Sequence, residues 1–265
     1  SAPARRRTVE LNAPAFDTIA DAIADIRAGR MIIVIDDPDR ENEGDIVMAA
    51  EAVTPEAVNF MARYARGLIC VPMTGDRLHA LKLSPMAQEY TDSGSTAFTN
   101  SVDATAKYGI TTGISPADRA RTIQLLLDPH AKPSDIKRPG HVFPIQAVEG
   151  GVLRRAGHTE AAVDLAQMAG LAPAGVICEI IRDDGEMARV PDLFEFAKFH
   201  QLKIITIADL IRYRVGKEKL IRRVVDAELP TEYGKFRIAG YENIMSGEGH
   251  VALVKGNIQG ARNVL

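Results

Sequence analysis

Residues 36–45 read Asp-Asp-Pro-Asp-Arg-Glu-Asn-Glu-Gly-Asp, with six acids and one arginine in ten positions, directly behind the apolar run 31–35. Like charges repel and none of these side chains fills a core. Such a cluster at the end of a strand-like run therefore points to a bound cation, a bound polar substrate, or both. In extended chain, alternate residues share a face. Glu41, Glu43 and Asp45 would then lie on one side, Arg40 and Asn42 on the other. Hard divalent cations such as Mg²⁺ or Mn²⁺ take oxygen ligands and keep positions open for substrate. The spacing does not suit an EF-hand: counted from Asp39, the twelfth position is Ala50 rather than a glutamate. A solvated acidic turn is the plain alternative. The flanking apolar runs argue for a site at a sheet end instead.

Two near-copies follow, Arg138-Pro-Gly-His141 and Arg155-Ala-Gly-His158. Each sets an arginine three residues before a histidine, with glycine between them to allow close approach. In the second, Thr159 is the natural N-cap of a helix, whose free N–H groups bind anions. Arg155 and Thr159 thus read as a phosphate cradle, with His158 a metal ligand or acid/base group beside it. In the run 176–181, Glu179 would share a strand face with Ile177 and Ile181, so it is either a pleat-reversed surface residue or a partly buried acid suited to proton transfer. The run Gly109-Ile-Thr-Thr-Gly-Ile-Ser115 suits contact with hydroxyls or phosphate, and equally suits an ordinary connector.

The elements that must position these residues follow from periodicity and turn signals. Helices are expected over 16–29, from Thr54-Pro55, over 115–127 from a Ser115 cap, 160–168, 191–200 and 208–214. Strands are expected at 31–35, 46–50, 68–71, 97–103, 141–147, 176–181 and 203–207. Residues 84–96 read as a mobile loop that could close as a lid, and 128–140 as a Pro- and Lys-rich loop. The mixture has no regular βαβ beat, which implies an α+β fold with a mixed β-sheet flanked by helices. The expected divisions are a solvated tail at 1–14, one domain over 15–214, and a segment at 215–265. That segment is a charged linker at 215–223 followed by a short β-rich fragment, too small to bury a core alone.

The bulk numbers remove several function classes. A net charge of −3 and the lack of a basic stripe argue against a nucleic-acid partner. No apolar run approaches the ~20 residues that cross a bilayer, and the N-terminal stretch is no secretory signal. Two cysteines, Cys70 and Cys178, sit inside apolar runs. They make neither a four-thiolate zinc site nor a disulfide scaffold, which fits a reducing cytoplasm.

Together these motifs resemble 3,4-dihydroxy-2-butanone 4-phosphate synthase, a family of riboflavin biosynthesis. The likeness rests on residues 36–45, Cys70-Val71-Pro72, Thr111-Thr112-Gly113-Ile114-Ser115 with Asp118-Arg119, Arg138–His141, Arg155–Ala161 and Cys178-Glu179. It implies a lyase that converts D-ribulose 5-phosphate to L-3,4-dihydroxy-2-butanone 4-phosphate and formate through enediolate chemistry, using Mg²⁺ or Mn²⁺. It implies Glu41 and His158 as metal ligands. Arg40, Glu41, Asp45, Thr112, Arg155, Ala156, Gly157, His158, Thr159 and Glu179 are implied as substrate contacts. His141, Glu179, Asp45 and Cys70 are the implied acid/base groups, in a homodimer with sites near the subunit interface. The segment after residue 228 resembles the start of GTP cyclohydrolase II. That domain's zinc-binding cysteines would fall beyond Leu265, so its activity is not expected from this chain.

Overall fold

A computed structural model of the chain describes residues 15–86, 96–245 and 247–258. Helix α1 (Ile19–Arg27) starts where the Thr18 hydroxyl accepts the Asp21 amide at 3.1 Å, and the chain then turns at Gly29 with φ +75°. Strand β1 (Ile32–Ile35) is wholly buried, and β2 (Gly44–Ala49) returns antiparallel beside it. Helix α2 (Pro55–Phe60) is capped by Thr54 with Pro55 in its first turn, and a π-helical turn, Met61–Ala65, prolongs it. Next come β3 (Cys70–Met73), α3 (Gly75–Ala80), β4 (Ala97–Phe98) and β5 (Val102–Ala104). Helix α4 (Pro116–Leu127) is capped by Ser115, whose hydroxyl accepts from Asp118 N. The unit continues with β6 (Ile136–Gln146), α5 (His158–Met168), β7 (Gly175–Glu179), α6 (Val190–His200), β8 (Lys203–Thr206) and α7 (Ile207–Lys217).

The strands form one mixed sheet in the order β4-β6-β3-β7-β2-β1-β8, with β5 pairing on β6. This is the α+β arrangement expected from the sequence. Ile33, Ile35, Ile46, Met48, Val71, Val176 and Cys178 turn to one face, where they meet Val58, Met61, Ile123, Leu126 and Leu193 from the helices. Helix α5 packs on β1, β2, β3 and β7, and its residues from His158 to Ala166 are buried throughout. Helix α1 packs against α5 in turn.

The register brings the chemical residues to one end of the sheet. Val34 pairs with Asp45, Asp45 with Glu179, Cys70 with Ile177, and Cys70 with Phe143, two residues after His141. Asp36, Asp45, Glu179, Cys70 and His141 therefore all lie at or near that edge.

Several expectations are corrected. The strand expected at 68–71 is Cys70–Met73. The alternation at 97–103 breaks into two short strands around Thr99, whose amide bonds Pro144 O outside either strand. The last five residues of the loop expected at 128–140 are strand, because β5 pairs with Ile136 and Lys137 despite their turn-rich surroundings. The 84–96 loop lies largely outside the described residues, as does the 1–14 tail. The charged stretch from 215 is not a linker throughout: α7 runs to Lys217 and a strand begins at Ile221.

The chain divides into two compact units, the first ending at Ile211 and the second beginning at Arg212. The second unit is an antiparallel sheet of β9 (Ile221–Thr231), β10 (Gly234–Asn243) and β11 (Gly249–Val254), with β10 central. Val224, Val225, Val251 and Leu253 are exposed on it, and Ala239 is its buried hydrophobic residue among those described. No helix among the described residues is long and apolar enough to cross a membrane.

Candidate metal and substrate site

The acidic loop is a turn, not the extended strand that alternation suggested. Buried Asp36 shapes it. Its Oδ2 accepts from Arg40 Nη1 at 2.8 Å and Glu41 N at 3.1 Å, and its Oδ1 accepts from Glu43 N at 2.8 Å. Asn42 takes φ +54°, and the Arg189 guanidinium, 2.9 Å from Glu41 O, also grips Asn42 O. These bonds explain why Glu41, Glu43 and Asp45 do not share a strand face. Asp, Pro and Asn at 36–42 supply turn chemistry that outweighs simple alternation.

The turn delivers Glu41 to His158. Glu41 Oε2 lies 3.8 Å from His158 Nδ1 and 2.5 Å from Arg40 Nη1. The His158 ring, with Arg40 alongside, holds the Glu41 carboxyl down at about 2. His158 Nε2 is 3.2 Å from Val34 O, an acceptor, so Nε2 carries a proton and Nδ1 is the nitrogen turned toward Glu41. Asp45 Oδ1 lies 3.9 Å from the same ring and is a buried atom with no hydrogen-bond partner. Burial lifts the Asp45 carboxyl to about 7, against the pull of His158 and with a push from Glu179 and Glu41. Burial alone would lower His158. The carboxylates of Asp45, Glu41 and Asp36 outweigh it and raise the ring to about 9.

Glu179 ends β7, and its Oε2 accepts the Leu68 amide at 2.8 Å. Gly67 makes room for it: a Cβ there would sit 2.5 Å from Glu179 Oε2 and 2.4 Å from Glu179 O. Cys70 is buried and feels the carboxylates of Glu179 and Asp45. Burial first, then those charges, push its thiol upward, so it keeps its proton. His141 stands on β6, two strand spacings from Glu179, roughly 10 Å. Its Nδ1 lies 2.8 Å from Asp103 Oδ2.

The expected phosphate cradle is built differently from its sequence reading. Gly157, not Thr159, is the N-cap of α5, and Thr159 is buried in the first turn. A glycine there leaves the helix without a side-chain cap, so its first amides stay directed at whatever lies before them. Arg155 pairs with buried Glu160 at 2.8 Å and reaches Thr96 Oγ1 at 3.2 Å. Ala156 is exposed and Gly157 buried, while Thr112 is exposed on a loop tied down by Asp118, which accepts from Thr111 and Gly113.

Residues 20–213 match the 3,4-dihydroxy-2-butanone 4-phosphate synthase family. The chain belongs to that family. Residues 222–265 match GTP cyclohydrolase II. The chain is 63% identical over 241 residues to the riboflavin biosynthesis protein RibBA of Aquifex aeolicus, covering 91% of this chain and 59% of that protein. It is 54% identical to RibBA of Synechocystis, covering 91% and 44%. The chain thus spans about half the length of the curated relatives it matches. Among solved structures, the two-domain 3,4-dihydroxy-2-butanone 4-phosphate synthase RibBX of A. baumannii is 50% identical with a TM-score of 0.82, covering 92% of this chain and 72% of that one. A 3,4-dihydroxy-2-butanone 4-phosphate synthase in complex with two magnesium ions is 44% identical with a TM-score of 0.73, covering 76% and 98%.

In this chain the geometry gathers Arg40, Glu41, Asp45 and His158 into one cluster, with Glu179 and Cys70 adjoining along the sheet end. It keeps His141 apart from that cluster within the subunit. Three roles escaped the sequence reading: that of Asp36, which folds the loop; of Arg189, which clamps it; and of Asp103, which holds His141. A lone acid in a short strand carries no motif, so only the pairing of β5 with β6 exposes Asp103.

Proposed function

We propose that this chain converts D-ribulose 5-phosphate to L-3,4-dihydroxy-2-butanone 4-phosphate and formate, with Mg²⁺ or Mn²⁺ held by Glu41 and His158. The observation that carries the reading is the approach of Glu41 Oε2 to His158 Nδ1 at 3.8 Å, beside the unpartnered, buried Asp45 Oδ1. The donor set fits a hard cation. Ligand atoms of Asp36, Glu41 and His158 lie within 4.8 Å of one another. Asp36 already spends both oxygens on the loop, which leaves Glu41 and His158 as the ligands. His158 also donates its other nitrogen to a backbone carbonyl, as metal-binding histidines do. The synthase that binds two magnesium ions supports the choice of metal.

A divalent cation there would supply Lewis-acid stabilisation for negative charge developing on the sugar's oxygens. The protein's own groups do the rest. Asp45, lifted to about 7 by burial, exchanges a proton near neutrality. Glu179, fixed by the Leu68 amide, is a second acid/base group, and His141 a third. Cys70, kept neutral, can only donate. Arg40 meets a substrate oxygen from the Asp36 side. Arg155, Thr159 and the uncapped amides of α5 anchor the phosphate, with Thr112, Ala156 and Gly157 completing the wall. A homodimer and a cytoplasmic setting belong to the same reading.

Mass analysis of products from ribulose 5-phosphate, with and without chelator, tests it. Formate and a four-carbon phosphate, lost on chelation, are expected. Inorganic phosphate would indicate a phosphatase, and a five-carbon product without formate an isomerase.

A further inference from the structure

Asp103 is 2% exposed, and both of its oxygens serve one residue. Oδ1 accepts the backbone N–H of His141 at 2.9 Å, and Oδ2 receives the His141 ring at 2.8 Å through Nδ1. A carboxylate only accepts, so Nδ1 carries the hydrogen. The other ring nitrogen, Nε2, has no partner among the described residues, and the His141 side chain is 42% exposed. The chain is fitted tightly round this pair. A Cβ on Gly113, itself at φ +97°, would lie 2.2 Å from Asp103 Oδ2, and one on Gly140 would lie 2.2 Å from Asp103 N. The hydroxyl-rich loop 109–115 owes its shape to Asp118, which takes hydrogen bonds from Thr111 and Gly113.

We infer that Asp103 is the positioning residue of His141: it fixes the ring with Nδ1 protonated and Nε2 as the proton-accepting atom, and loop 109–115 covers the Asp103 carboxylate through Gly113. The inference rests on the reading of His141 as an acid/base group. In the step it serves, a bond from hydrogen to a substrate atom breaks, Nε2–H forms, and the electron pair stays on the sugar. The Asp103 carboxylate balances the imidazolium, and return of the same proton resets the ring.

Asp103→Asn is the decisive variant. The His141 backbone N–H keeps hold of the amide oxygen, so the amide NH₂ faces Nδ1 and reverses the tautomer. Nitrogen-15 NMR of histidine-labelled full-length protein, with the His141 signals assigned by their loss in His141→Asn, reads this directly. The hydrogen is expected on Nδ1 in the parent protein and on Nε2 in Asp103→Asn. Formate release should show kcat down about a hundredfold or more with KM within about threefold. Adding Asp103→Asn to His141→Asn should cost nothing further. An unchanged tautomer, or losses that multiply in the double variant, would overturn the inference. If the tautomer reverses while His141→Asn keeps parental activity, it is the catalytic reading of His141 that fails, and the positioning role falls with it.

Discussion

With Glu41 and His158 as the proposed ligands, binding of a divalent cation should be strongly proton-linked, because the carboxylates around His158 favour its protonated ring. His158 is raised from the ordinary value of 6.5 to about 9 by the carboxylates around it. A group held at about 9 leaves about one ring in a hundred neutral at pH 7 and about one in ten at pH 8. A cation that needs the neutral ring must displace that proton. Raising the pH from 7 to 8 should therefore tighten Mg²⁺ or Mn²⁺ binding about tenfold, where an ordinary histidine would give less than about twofold. Calorimetric titration in two buffers of different ionisation heat measures the coupling, and close to one proton per site should leave at pH 7.5. Asp45, at about 7, adds a further fraction as the pH drops below that value. The sign of the stability effect follows. Both groups are raised on folding, so the metal-free protein gains stability from them at low pH. It loses the Asp45 part as pH rises through about 7 and the His158 part through about 9, and saturating metal should flatten that fall. Affinity unchanged between pH 7 and 8, with equal heats in the two buffers, would refute the reasoning.

Other outcomes follow from the same site. Glu41→Gln should remove most metal-dependent formate release while circular dichroism stays that of the parent; full activity would remove Glu41 from the ligand set. Gly67→Ala should drive a methyl group against Glu179 and cut activity more than about tenfold at a melting temperature lowered by only a few degrees. Arg189→Gln should loosen the grip on the Glu41 and Asn42 carbonyls and weaken Mn²⁺ binding, read by titration, more than it alters substrate KM. Cys70 and Cys178, buried with their thiols pushed upward, should resist a thiol-reactive dye at pH 8 until the protein is unfolded.

The acidic loop, His158 and Glu179 stand out in the chain alone because each lies in a short run whose residue types make little sense as core or plain surface. The mixed sheet was likewise visible in the irregular succession of apolar runs and helical stripes. What escaped was set by partners distant in sequence. Residues 136–140 carry Lys, Arg, Pro and Gly, yet they form strand because β5 offers them a ladder. Thr159 has the chemistry of a cap, but the helix starts earlier, and a glycine at 157 makes room beside Arg155 and Glu160. The charged residues after 214 read as linker by composition. Lysine, arginine and glutamate are also good helix formers, and Arg214 pairs with Glu218 at 2.6 Å as α7 runs out. The loop-shaping roles of Asp36, Asp103 and Asp118 were least visible of all, since a buried aspartate that collects backbone amides looks like any other acid until its donors are in place.

One interior carboxylate, Asp36, dictates the path of the residues around Glu41, while Asp37, Pro38 and Asp39 lie on the outside of the bend. Asp37 helps to hold the bend, since its Oδ1 accepts the Asp39 amide at 2.8 Å, and Pro38 fixes its own φ. The exposed Asp39 side chain is therefore the natural place to attach a fluorophore, since the turn is held by its backbone rather than by its carboxylate. Replacing Asp36 itself would deform the whole hairpin and carry Glu41 away with it.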